Sequence, residues 1–290
     1  MGTQGVTPPD IRNDIRNARR DELDTIIDWA AREGWNPGIE DAPAFWAADP
    51  GGYHVAEVGG ALAAAISLVR YDENYAFLGF YMAHPDFRGQ GIGFALWQAA
   101  IRQGKGRTIG LDGVVAQQDN YRRSGFAYAH ANFRYGGDVA CDEPAGDNLV
   151  PVKPALLPML LDYDRQFNPA PRGGFLSEWL KPAETRLSFA LIDNSAIAGF
   201  ATIRACREGF KIGPLFADNE AGADLLFRKL VASIGGGLIL LDMPGPNKSA
   251  EKLCERYGMK PVFETARMYR GATPNLPLDR LYGITTFELG

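Results

Sequence analysis

Apolar positions recur at two periods along the chain, and the alternation between those periods lays out its elements. Leu23, Ile26, Ile27 and Ala30 fall at helical spacing behind Asp21, a residue suited to capping, so the pattern predicts a helix ending near Gly34. A turn-rich loop, Glu33 to Gly38, carries one large aromatic, Trp35, and a second short helix is predicted from Asp41 with Pro43 in its first turn. Three strand-like runs follow: Tyr53 to Val58, Ala61 to Val69 across a Gly59-Gly60 turn, and Tyr75 to Ala83, closed by His84-Pro85. Phe94 to Arg102 reads as an apolar-faced helix and Thr108 to Val115 as a strand. Asn120 to Ser124 reads as a helical turn stopped by Gly125, and Ala127 to Tyr135 as a last strand.

From Gly136 to Asn148 the sequence turns to glycine, acid and proline without periodicity, which marks a linker. Beyond it the same order of elements returns. A helix is predicted over Leu156 to Gln166, strands over Leu187 to Ile192, Ala196 to Ala205 and Phe210 to Phe216, then a helix over Glu220 to Ser233. A strand at Leu238 to Met243 and a helix from Ala250 to Arg256, ending at Gly258, complete the set. An offset of 133 carries Phe77 onto Phe210 and Gly125 onto Gly258, as an internal repeat would. Chance likeness between two ordinary mixed sheets is the alternative, and it leaves the two-domain division standing. The expected fold is α/β with α+β mixed sheets, in two domains of residues 1–137 and 149–290 joined by 138–148.

Composition narrows the class. The 290 residues, 46% hydrophobic, suffice for two cores, and a net charge of −5 with both signs interspersed speaks against nucleic acid or an anionic membrane as partner. Residues 1–20 lack the apolar core of a signal peptide, and the longest apolar stretch, near Ala61 to Val69, is too short to span a bilayer. A cytoplasmic protein is expected. Cys141, Cys206 and Cys254 have neither paired spacing nor a histidine cluster beside them, so they read as reduced packing thiols and not as a metal site.

Chemistry enters at Arg88-Gly89-Gln90-Gly91-Ile92-Gly93, placed between a strand and a helix. Glycines there let backbone N–H groups close on an anion, and the helix N-terminus adds a favourable dipole. The run lacks the Gly-Lys-Ser/Thr of a Walker loop and does not open a βαβ unit with G-x-G-x-x-G, which sets ATP and NAD aside. Taken with Met82 to Pro85 before it and Asn120-Tyr121-Arg122-Arg123-Ser124-Gly125-Phe126 after it, the run resembles the GNAT acetyltransferase superfamily. Arg88, Gly91 and Gly93 match the family's R/Q-x-x-G-x-G/A loop, and Tyr121, Gly125 and Phe126 match its Tyr-x-x-x-Gly-Phe segment. The likeness covers Ile15 to Tyr135, and the whole chain looks like bacterial two-domain members whose second acetyltransferase-like domain is degenerate.

That resemblance implies tandem GNAT-like acyl-CoA N-acyltransferase domains, with Arg88, Gly89, Gln90, Gly91, Ile92 and Gly93 holding the pyrophosphate of acetyl-CoA. It implies that Phe80, Tyr81 and Met82 end a fourth strand that splays from the fifth beside a bulge and offers free backbone groups to the acetyl carbonyl and pantetheine. A phenol is protonated at neutral pH, so Tyr121 is the expected general acid for the leaving thiolate. Asn120 either bonds the cofactor or merely starts its helix. No carboxylate lies on the fourth strand; Glu33, Asp112, His84 and a water-borne proton transfer are the alternatives for the base, with Glu33 put forward. Trp35 either walls the acceptor pocket or pins its loop to the core.

Under the 133 offset, Ala221 to Leu226 stands where the glycine loop should be, Asp224 would oppose a phosphate, and Cys254 replaces Tyr121. The second half is therefore expected to keep the fold without the cofactor site and to shape an acceptor pocket or a homodimer surface. The expected activity is N-acetyl transfer from acetyl-CoA to a primary amine of a small metabolite or peptide. A non-catalytic acyl-CoA sensor and a protein-lysine acetyltransferase are the competing readings.

Overall fold

The computed structural model describes residues 15–145 and 148–290, so what was expected of residues 1–14, and of Gly146 and Asp147 in the linker, lies outside them. The first half runs β1 (Ile15–Asn17), α1 (Arg20–Arg32), α2 (Ala42–Ala48), β2 (Tyr53–Val58), β3 (Ala61–Arg70), β4 (Tyr75–Ala83), α3 (Ile92–Gln103), β5 (Thr108–Val114), α4 (Gln118–Arg123) and β6 (Ala127–Val139). The second runs β7 (Leu149–Pro151), α5 (Leu157–Asp164), α6 (Gly173–Trp179), β8 (Arg186–Asp193), β9 (Ala196–Ala205), β10 (Phe210–Ala217), α7 (Glu220–Ser233), β11 (Gly237–Pro244), α8 (Lys248–Arg256), β12 (Lys260–Arg270) and β13 (Leu281–Gly283). The fold is the expected mixed α/β one.

Helix α1 buries the predicted stripe of Leu23, Ile26, Ile27 and Ala30. Its start differs from the sequence reading: Asp21 lies inside the first turn, and the carboxylate of Glu22 accepts the Arg19 N–H at 2.7 Å in its place. The last strand of the first half is also longer than expected, running through Gly136 and Gly137 to Val139. Packing is tight there: a Cβ on Gly136 would lie 3.0 Å from Leu240 and one on Gly137 3.1 Å from the Met259 backbone. Five elements, β1, α6, β7, β12 and β13, fall in stretches where the sequence pattern predicted none.

All strands join in one sheet of order β1-β2-β3-β4-β5-β12-β6-β11-β10-β9-β8-β7, with β13 added on β10. Each half thus lends its last strand to the other: β12 pairs with β5 from Thr265↔Val114 to Arg270↔Ile109, and β6 pairs with β11 from Gly237↔Val139 to Pro244↔Asn132. Burial accounts for the exchange. Ala266 and Met268 of β12 pack in the core around Leu96, Trp97 and Leu111, while Tyr135 and Val139 of β6 pack in the core around Leu226, Leu230 and Leu253. Each lent strand carries an arginine directly opposite an aspartate. Arg267 grips Asp112 with two bonds of 2.7 Å, and Arg134 grips Asp242 at 2.6 and 2.8 Å. The two arginines stand 133 residues apart, so the repeat extends to the clamps.

Candidate active site

Strands β4 and β5 pair in parallel from Tyr75↔Thr108 to Leu78↔Leu111 and then part. On its other side β4 steps from Gly79 to Met82 while β3 steps only from Ser67 to Ala65, and within that bulge Phe80 adopts φ 48°. A residue with a side chain is strained in that region. Its ring, 1% exposed, is held edge-on against Phe45 at 5.7 Å, which fixes the conformation. The bulge turns β4 away and opens a V-shaped cleft of ≈ 550 Å³. Phe80, Tyr81, Met82, Arg88, Glu33 and Tyr121 line it; of the predicted glycine loop Arg88 alone does so, and Gly89 to Gly93 and Asn120 lie outside its lining.

The glycine loop follows Arg88, which lines the cleft. Gly89 and Gly91 take φ 77° and 80°, the left-handed region glycine tolerates, and Gly91 caps α3. Among the described residues the backbone N–H groups of Gly89, Gln90, Gly91, Ile92, Gly93 and Phe94 have no acceptor; the first helical bond runs from Ala95 to Gly91 at 3.0 Å. Six donors at a helix N-terminus make an anion nest. Ile92 anchors the loop by burying its side chain, and Gln90 secures it by donating to the Asp86 carbonyl at 3.0 Å. Arg88 donates to the Ala83 carbonyl at 3.0 Å and pairs with Glu33.

Tyr121 approaches from α4. Its ring stacks on Trp97 at 5.4 Å and lies flush on β5, where a Cβ on Gly113 would come within 2.2 Å of it. Burial, helped by the nearby Tyr81, pushes its phenol well above the ordinary tyrosine value, so it stays protonated at neutral pH. Asn120 lies beside the cleft: its amide donates to Gln117 at 2.6 Å, and it lines an adjoining groove between α3 and α4 that shares Tyr81 and Tyr121 with the cleft.

The other candidates separate cleanly. Asp112 lines the cleft, but its carboxylate is taken by Arg267 and by Asn132 at 2.7 Å, which makes it a structural clamp. His84 stands outside the cleft lining and accepts from the Asp86 N–H at 3.4 Å, capping a short turn. Trp35 is partly buried against the core. It lines the cleft, and its carbonyl takes bonds from Arg134 at 2.8 Å and Lys211 at 3.2 Å. The sequence reading missed the opposite wall, made by Arg134, Phe263 and Thr265 from the exchanged strands and by Phe287 and Glu288 from the segment after β13. One signal for it was available: Gly79 interrupts a strand of large side chains, because a Cβ there would sit 2.0 Å from the Glu288 carbonyl.

The equivalent cleft of the second half is filled by the chain itself. β10 and β11 pair from Phe210↔Ile239 to Ile212↔Leu241, and β13 then enters beside β10, with the Ile284 N–H donating to the Asp242 carbonyl at 2.7 Å. A Cβ on Gly213 would lie 2.5 Å from the carbonyls of Ile284 and Thr285. Helix α7 begins at Glu220, which the 133 offset places on Phe87, so no room remains for a glycine loop; Asn219 accepts the Gly222 N–H at 2.9 Å instead. Asp224 is paired with Arg256 at 2.7 Å and Tyr257 at 2.8 Å, and Cys254 is fully buried. Among the described residues no helix is long and apolar enough to cross a membrane, and no cluster of metal-binding side chains occurs.

Comparison with known proteins follows the same two halves. Residues 19–129 match the acetyltransferase (GNAT) family and residues 160–283 match an acetyltransferase (GNAT) domain. Holothin acyltransferase of Pseudoalteromonas sp. (strain SANK 73390) is 29% identical over 274 residues, which covers 94% of this chain and 93% of that protein. A candidate acetyltransferase from Pyrococcus horikoshii superposes with a TM-score of 0.78 at 20% identity over 95% of each chain. A tandem GNAT protein from the clavulanic acid biosynthesis pathway superposes with a TM-score of 0.63 at 15% identity, covering 90% of this chain and 99% of that one. At those identities the two structures speak for the fold.

Proposed function

For a chain that belongs to the tandem GNAT acyltransferases, with one such domain in each half, we propose that the first half moves an acetyl group from acetyl-CoA to the primary amine of a small metabolite or peptide by direct attack. The family uses acyl-CoA substrates. The observation that carries the reading is a cleft lined by a buried, protonated tyrosine and by Arg88, the residue that leads into a loop with six free N–H groups. Those parts fit coenzyme A: the nest suits a pyrophosphate, and the unpaired edge of β4 at Gly79 to Met82 suits the amides of the pantetheine arm. When bound, the acyl donor supplies an activated thioester. Tyr121 donates a proton to the departing sulfur, and the N–H groups freed by the bulge at Phe80 polarise the carbonyl.

Trp35, Phe263 and Phe287 close the acceptor end with aromatic surface, which favours a compact amine over a lysine on a protein. The likeness to holothin acyltransferase points the same way. A non-catalytic sensor would have no use for Tyr121. We take residues 1–137 and 149–290 as the two units of the fold, with Asp138 and Val139 continuing β6 of the first and 140–148 between them. The second contributes its β12 and the segment after β13 as the acceptor wall. Three free thiols suit a reducing cytoplasm. Screening an amine library for thiol release with acetyl-CoA tests the activity: release with a subset of small amines is expected, and donor binding without release from any amine would favour the sensor.

A further inference from the structure

The acceptor end of the cleft holds a carboxylate that the protein itself leaves unused. Glu288 is 3% exposed, yet it lines the cleft, and among the described residues no hydrogen bond or ion pair engages its side chain. The other carboxylates around it are committed: Glu33 to Arg88, Asp112 to Arg267, Asp242 to Arg134, and Asp41 to Arg186 and Arg204. Its position is fixed on both sides. The Glu288 carbonyl abuts Gly79, where β4 leaves β5; the Phe287 ring lies under the Arg134 guanidinium at 5.2 Å; and the Leu289 N–H donates to the Thr286 hydroxyl at 3.0 Å. We infer that Glu288 is the general base of the transfer, receiving the ammonium of a flat, apolar primary amine between Trp35, Phe263 and Phe287 and taking one of its protons.

This assignment rests on the acetyl-transfer reading. The nitrogen loses two protons in forming the amide. Glu288 takes the first before attack and returns it to solvent. The second balances the sulfur: Tyr121 protonates the leaving thiolate as the C–S bond breaks, and the new amide nitrogen restores the phenol. Lys211 on β10, Arg134 on β6 and Arg204 on β9 favour the charged carboxylate and Asp41 opposes it. Burial outweighs them, holding the group above the ordinary carboxylate range and closer to the value a base needs near neutral pH.

Two measurements test the assignment. In the amine screen, Glu288→Gln should bind acetyl-CoA as the wild type does while kcat falls about 100-fold or more and the acidic limb of its pH profile vanishes. Glu288→Asp should recover part of the rate. Wild-type turnover matched by Glu288→Gln with the acidic limb intact overturns the base and leaves the transferase reading standing; a wild type inert toward every amine overturns both. Independently of turnover, protein labelled at the glutamate carboxyl carbon should show one NMR resonance, absent from Glu288→Gln, that titrates above the ordinary carboxylate range and moves when 2-phenylethylamine is added. A resonance that titrates normally and ignores the amine overturns the assignment.

Discussion

Tyr121 is useful because its surroundings deny it a charge. Trp97 and Gly113 sandwich the ring, burial raises the phenol, and its hydroxyl faces the cleft as a donor at any physiological pH. Tyr121→Phe keeps the stack and removes only the proton. Turnover should fall about 100-fold while acetyl-CoA affinity by calorimetry stays within twofold of wild type; equal loss of both would make the ring a binding element. His54 on β2 gives a second residue-scale consequence. It is 2% exposed with an unpaired Nε2, and burial, reinforced by Arg70, lowers its pKa to about 4. The unfolded chain therefore takes up this proton near pH 6.5 and the folded one only near 4, so the stability contribution is whole above 6.5 and drains away as pH falls toward 4. His54→Phe should flatten that decline, by about 3 kcal/mol at pH 4, in chemical unfolding compared at pH 7 and pH 4.

At the scale of elements, what could be read from sequence was what is local. The glycine loop and the α4 tyrosine sit within one strand–loop–helix passage each, so both could be picked out from sequence, and Arg88 and Tyr121 line one cleft. The bulge at Phe80 could be placed only through a family resemblance, because its cause is the packing of Phe45 and the tail against β4. β12 escaped notice because its partner, β5, lies in the other half of the chain. The loop permits a sharp test. Gly91 combines φ 80° with the N-cap of α3, and a Cβ there meets nothing within 4 Å, so Gly91→Glu introduces about 1 kcal/mol of backbone strain without a clash. It also sets a carboxylate beside the free N–H groups. Acetyl-CoA affinity should drop at least tenfold while the melting temperature shifts by only a few degrees; unchanged affinity would move the phosphate site elsewhere.

For the molecule as a whole, the exchange of last strands makes the two halves one cooperative object even though the repeat that generated them is visible in sequence. Offsets such as Phe77 to Phe210 showed two similar units but not which strand each unit would use, since β6 and β12 carry the same clamping arginine, Arg134 or Arg267, and either could have paired at home. In the fold Asp112 on β5 faces Arg267 and Asp242 on β11 faces Arg134, with the apolar faces of β12 and β6 packed in the cores of the opposite halves. An isolated fragment ending before Asn148 would leave Asp112 buried without its cation and β5 without the apolar face of β12, and one beginning there would do the same to Asp242 and β11. Stranding one partner of a buried pair costs about 3–5 kcal/mol, a large share of what holds a domain folded. Produced separately, fragments 1–145 and 148–290 should therefore be insoluble or melt without cooperativity. Produced together, they should co-purify one to one and regain acetyl-CoA binding, because the first fragment ends on residues 140–145, which carry no regular structure. Size-exclusion chromatography and calorimetric melting of the three preparations distinguish the outcomes, and a cooperative melt from either fragment alone would show that its last strand can fold back onto its own half.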